Sequence, residues 1–114
     1  MRDPKERLRD ILDAIERIRR YSDRGRTAFD ADELIQSWFV RHIQVIGEAA
    51  RMLPEEVRAL APDVPWREII GMRHILVHDY FGIDGEAVWS AAVEDLLPLE
   101  ARVKALLDLL GGDP

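Results

Sequence analysis

Residues 34 to 53 read LIQSWFVRHIQVIGEAARML, and their spacing decides the fold class. Leu34, Ile35, Trp38, Phe39, Ile43, Ile46, Ala49, Ala50 and Leu53 recur at three- and four-residue intervals, the period of an α-helix. They make a broad apolar face on a helix predicted to begin at Asp30. There an Asp side chain can cap free amides and Glu33 stands at capping-box spacing. Working towards the N-terminus, Leu8, Ile11, Leu12, Ile15 and Ile18 draw one apolar stripe on a first helix over about residues 4 to 23. The polar run Ser22-Asp23-Arg24-Gly25-Arg26 ends it.

Working the other way, Pro54 opens a short helix, PEEVRAL, with acids in the first turn where the helix dipole favours them. Pro62 closes it. Pro65 suits the first turn of a fourth helix predicted to run to about Asp79, followed by a turn at Phe81-Gly82-Ile83-Asp84-Gly85. Asp84 then caps a long last helix reaching about Leu110, which Pro98 should kink. Trp38, Phe39, Trp66 and Trp89 sit at helical spacings with aliphatics and read as core or interface. The acid-rich last helix reads as a solvated face. No internal repeat, low-complexity run or strand-like alternation appears. The expectation is an all-α antiparallel bundle of four main helices plus one short helix, in a single domain spanning 1–114.

Composition narrows the class. The chain has 114 residues, 47% hydrophobic and 33% charged, the balance of a globular domain large enough to bury a core. No apolar run approaches the ~18 residues needed to span a bilayer, and no signal peptide is visible, so a cytoplasmic location is expected. The chain has no Cys, which excludes disulfides, thiolate zinc sites and cysteine nucleophiles. Net charge is −6, and the excess lies in the C-terminal half: residues 1 to 60 carry 12 basic against 12 acidic residues, residues 61 to 114 carry 4 against 10. Bulk coating of nucleic acid is therefore disfavoured. A local phosphate site is not, because 14 of the 16 basic residues are Arg, whose fork suits phosphate.

The chemistry concentrates in GMRHILVHDYFGID, residues 71 to 84. On a helix, Trp66, Ile69, Ile70, Arg73, Val77 and Tyr80 would share one face, so Arg73 interrupts an apolar stripe. A buried guanidinium needs partners, and Glu48 on the second helix is a natural one. Arg73 and His78 are five apart, which on a straight helix separates them by about 140° around the axis and about 7.5 Å along it. Either the helix end curls before Gly82, or a working site combines residues from two copies of the chain. His74 and His78 at i, i+4 also have metal-pair spacing, with Asp79 or His42 as further ligands, but no Glu lies between them as a metalloprotease would require.

Arg73-His74-Ile75-Leu76-Val77-His78-Asp79-Tyr80 is similar to the Arg-x4-His-x-Tyr motif of HepT-type toxins, small helical ribonucleases of the HEPN superfamily. "IGEAAR" at 46 to 51, "PWREIIGMR" before the motif and "YFGID" after it resemble the family's framing, and the likeness covers about residues 34 to 90. Position 74 departs from it: a small polar residue is common there and His74 stands here, with its role open. The resemblance implies a HEPN-like bundle and a metal-independent endoribonuclease toxin that uses no cofactor, with Arg73 and His78 as catalytic residues.

The residue chemistry agrees with that implication. Cutting RNA without a metal requires the 2′-hydroxyl to lose a proton and the 5′-oxygen to leave protonated, which an imidazole titrating near neutrality can serve. Arg73 can hold the scissile phosphate through two parallel hydrogen bonds. One His cannot easily act on both oxygens, so a homodimer pairing two copies of Arg73 and His78 is expected. The resemblance further implies a partner, a minimal nucleotidyltransferase antitoxin (MntA), that transfers AMP onto Tyr80 and silences the toxin. Taken singly, Arg73 reads as an ion-pair residue, His78 as a helix-end histidine and Tyr80 as a packed aromatic. The alternative reading of the whole is a non-catalytic helical module that binds a nucleotide or a protein. Such degraded modules usually lack the Arg or the His, and both are present here.

Overall fold

The computed structural model describes residues 3–75, 77–78 and 82–111, with 73–75, 77–78 and 82–83 described by backbone alone. Helix α1 spans Pro4–Ser22, α2 Arg26–Ala31, α3 Glu33–Met52, α4 Glu55–Arg58 and α5 Trp66–Ile75. Two-residue strands β1 (Val77–His78) and β2 (Gly82–Ile83) follow, then α6 (Gly85–Ser90), a π-helical turn at Ala91–Leu96 and α7 (Leu99–Leu109). The architecture is all-α, as the periodicity predicts, with one minimal strand pairing added.

Helix α3 is the hub, packed against α1 on one side and α5 on another. The expected stripe of α1 is the buried one: Leu8, Ile11, Ile15 and Ile18 are fully covered. Asp3 caps α1, accepting from the Lys5 amide at 2.8 Å. Trp38 of α3 donates its indole N–H to the Arg17 carbonyl at 2.8 Å, and Arg19 grips Glu100 of α7 through two hydrogen bonds of 2.8 and 2.9 Å. Phe29, Phe39 and Trp89 meet with ring centroids 4.9 to 6.1 Å apart, joining α2, α3 and α6. Trp66 is buried and Trp38 and Trp89 are partly buried, so all four singled-out aromatics belong to the core or its edge.

Three boundaries differ from expectation. The central helix starts at Glu33, not Asp30, because Asp32 caps it by accepting from the Leu34 amide at 2.8 Å. Asp30 instead lies inside a separate short helix, α2, where it pairs with Arg26 at 2.8 Å. Gly25, at φ 93°, supplies the left-handed residue that turns the chain into α2. Leu34, counted on the apolar face, lies in the first turn of α3 and is exposed.

The fourth helix ends at Ile75, not near Asp79. After it, Val77 pairs with Ile83 and His78 with Gly82 in antiparallel register. β-branched Val77 is stiff at χ1 and suits extended backbone, which opposes another helical turn. The last helix is not continuous either. Pro98 has no amide to donate and its ring crowds the carbonyl four residues back, and the turn before it widens so that the Leu97 amide reaches the Ala92 carbonyl at 2.9 Å. Asp84 caps α6 as expected, accepting from the Ala87 amide at 3.1 Å.

Candidate active site

Helix α5 is anchored at its base. Trp66 donates its indole N–H to the carbonyls of Arg58 and Ala61, each at 3.1 Å, which ties the first turn of α5 to the end of α4. Ile69 and Met72 are buried, fixing the rotation of the helix about its axis. Basic residues near a helix C-terminus are favoured by its dipole, and the last turn of α5 carries Arg73 and His74.

The chain leaves the helix between Arg73 and His78. His78 belongs to β1, opposite Gly82, so the 140° separation of a straight helix does not apply. The side chains of Arg73, His74 and His78, together with all of Asp79 and Tyr80, lie outside the described residues. In sequence Tyr80 falls between the paired strands Val77–His78 and Gly82–Ile83.

Glu48 pairs with Arg51 on its own helix, at 2.7 Å, and both side chains are about half exposed. Its expected contact with Arg73 involves a side chain outside the described residues. Glu48 also borders a groove of about 300 Å³ between α1 and α3, shared with Arg7, Asp10 and Arg41. His42, weighed as a metal ligand, is packed away on α3. It is 6% exposed, its ring meets Trp38 edge-on at 4.4 Å between centroids, and its Nε2 has no hydrogen-bond partner among the described residues. Burial lowers its pKa, and the positive charges of Arg17 and Arg41 lower it further. Among the described residues no three His, Asp or Glu side chains gather as metal ligands.

The motif leaves out two arginines where α4 meets the base of α5. Arg58 and Arg67 border an open groove at the base of this helix, and neither has an ion-pair partner among the described residues. Their signal in the sequence was faint, since two Arg nine positions apart in different helices form no motif.

Comparison with known proteins joins these observations. Residues 11–106 match the family described as "Ribonuclease HepT-like". Over 111 residues the chain is 37% identical to a protein of Caldanaerobacter subterraneus whose name marks it as a candidate RNase, covering 94% of this chain and 96% of that one. It is 35% identical over 106 residues to "Probable ribonuclease HepT" of Thermococcus cleftensis, covering 92% and 96%. A candidate RNase of Methanocaldococcus jannaschii is 35% identical over 104 residues, covering 90% and 95%. No solved structure gives a significant match. The chain belongs to the HepT-like ribonuclease family.

Proposed function

We propose that this ribonuclease cuts RNA without a metal, through Arg73 and His78. The observation that carries the reading is the complete Arg-x4-His-x-Tyr motif, set across the point where α5 gives way to the strand pair, in a chain of this family. The 2′-oxygen attacks phosphorus as an imidazole takes its proton, and the P–O5′ bond breaks as the 5′-oxygen gains a proton. The products are a 2′,3′-cyclic phosphate and a 5′-hydroxyl. Arg73 neutralises the charge that gathers on the phosphate oxygens, where one well-placed donor contributes roughly 10²-fold or more. Two proton carriers are needed, and a homodimer that brings two copies of the motif together supplies the second.

The protein acts as the toxin of a cytoplasmic toxin–antitoxin pair and is silenced when a nucleotidyltransferase antitoxin transfers AMP to Tyr80. The Tyr80 oxygen attacks the α-phosphate of ATP, pyrophosphate leaves, and the phenolic proton passes to solvent. The new phosphodiester carries negative charge and a base, which compete with RNA for Arg73. No helix among the described residues is long and apolar enough to cross a membrane.

The test is cleavage of RNA by purified protein. Arg73→Ala and His78→Ala should each lose about 10²-fold or more while circular dichroism stays helical, and a chelator should leave the parent active. Undiminished cleavage by a folded His78→Ala protein would falsify the mechanism. Tyr80→Phe should keep activity and escape silencing by the antitoxin with ATP and Mg²⁺; mass spectrometry finding AMP elsewhere would sink that part.

A further inference from the structure

The groove at the base of α5 has a volume of about 470 Å³ and is bordered by Glu55, Arg58, Pro62, Trp66, Arg67 and Ile70. It sets two guanidiniums beside one carboxylate. Arg19, Arg26, Arg51 and Arg102 are each held by a carboxylate at 2.6 to 3.0 Å. Arg58 and Arg67 have no such partner among the described residues, although the chain as a whole carries net charge −6. The Nε of Arg58 is covered by protein without a hydrogen bond, a cost that a ligand drawing the guanidinium outward would relieve. Pro62, Ile70 and the largely buried Trp66, whose ring is pinned by its two hydrogen bonds, add an apolar lining.

The groove and the motif share α5: by backbone position Arg67, Ile70 and His74 stand at i, i+3 and i+7 on this helix, and Arg67 is about 9 Å along the axis and about 120° around it from Arg73. Gly71 follows Ile70, and a Cβ placed on it would meet nothing within 4 Å. A helix-interior glycine costs stability and here has no packing reason among the described residues, but it leaves room for a strand lying close to the backbone.

We propose that this groove is a second RNA subsite, holding a single-stranded nucleotide next to the cut. The proposal rests on the reading of Arg73 and His78 as the cleavage site. Arg58 and Arg67 take backbone phosphates, the apolar lining takes the face of a base, and exposed Glu55 accepts from an amino or hydroxyl group. Flat aromatic or apolar floors flanked by Arg are how proteins hold unpaired bases, and duplex RNA offers no free base face.

The experiment measures binding of a fluorescein-labelled single-stranded RNA dodecamer, 2′-O-methylated so that it cannot be cut, by anisotropy at several salt concentrations. Arg58→Gln/Arg67→Gln should weaken binding about tenfold. It should also make the slope of log affinity against log salt shallower by about 1.4, roughly 0.7 for each single-strand phosphate no longer neutralised. Arg20→Gln/Arg24→Gln removes the same charge near the start of α3, at the other end of the hub helix, and should leave the slope unchanged. Equal weakening by that control pair, an unchanged slope in the groove variant, or duplex RNA competing as well as single strand would overturn the subsite. Cleavage of unmethylated RNA by the parent chain is read separately, so a chain that binds through the groove yet cuts nothing sinks the catalytic reading and leaves the subsite standing.

Discussion

Covering His42 with Trp38 ties the titration of one imidazole to the stability of the bundle. Its folded pKa is lowered, chiefly by burial and further by Arg17 and Arg41. The unfolded chain therefore takes up the proton first as pH falls. Above the ordinary value of about 6.5 the residue is neutral in both states and costs nothing. Below it, stability drops with pH until the folded value is passed. His42→Phe keeps a ring against Trp38 and removes the unpartnered nitrogen. Urea midpoints should favour the variant by a margin that widens between pH 7 and pH 5.5, and a constant margin would count against this account. The burial was legible in the sequence, since Ile35, Phe39, His42 and Ile46 fall at i, i+4, i+7 and i+11. The metal alternative looked only at residue type. Arg73, His78 and Tyr80 were legible as a motif because chemistry at close spacing survives without tertiary knowledge. Arg58 and Arg67 were not, because only the packing of α4 on α5 puts them on one groove.

At the scale of elements, periodicity located every long helix and local competition set their ends. Two aspartates two positions apart, Asp30 and Asp32, both offer a cap. The one that captures an amide wins, and the other is taken by Arg26. Asp32 closes α2 and opens α3 together, and Gln36 donates to the Phe29 and Asp30 carbonyls at 3.0 and 3.3 Å, sealing the same junction. Asp32→Ala should therefore cost about 1 kcal/mol in thermal or urea unfolding, and Asp30→Ala only a few tenths. The reverse order would return the helix start to Asp30. The end of α5 was missed for a related reason. A helical stripe from Trp66 to Tyr80 fits the apolar pattern, but β-branched Val77 finds a strand partner in Ile83, a pairing no spacing rule weighs.

For the whole molecule, the buried core follows the pattern of apolar spacing. The large apolar side chains left exposed among the described residues are Leu34, Met52, Leu60 and Leu109, and Leu34 and Met52 stand at opposite ends of α3. These scattered side chains form no single apolar face, so the proposed two-fold assembly rests on the need for two proton carriers. Light scattering at micromolar concentration should give about 26 kDa, twice the 13.1 kDa of one chain. A 13.1 kDa particle that still cleaves RNA would retire the shared site.

The widened turn at Ala91–Leu96 has a consequence for how the chain tolerates change in length. A π-helical turn holds one residue more than the α-helical turn it replaces. Downstream of it, Leu99, Val103, Leu106 and Leu107 are buried, and a turn that absorbs its extra residue locally should leave the helix after it in the same phase when that residue is removed. Deleting exposed Glu94 would let the ladder close as ordinary α-helix without turning this face away, with Pro98 left as the remaining strain. Deleting one residue from the middle of α3, which holds no such slack, would swing half its buried face by about 100°. The C-terminal helix thus carries its own expansion joint, and the hub helix has none.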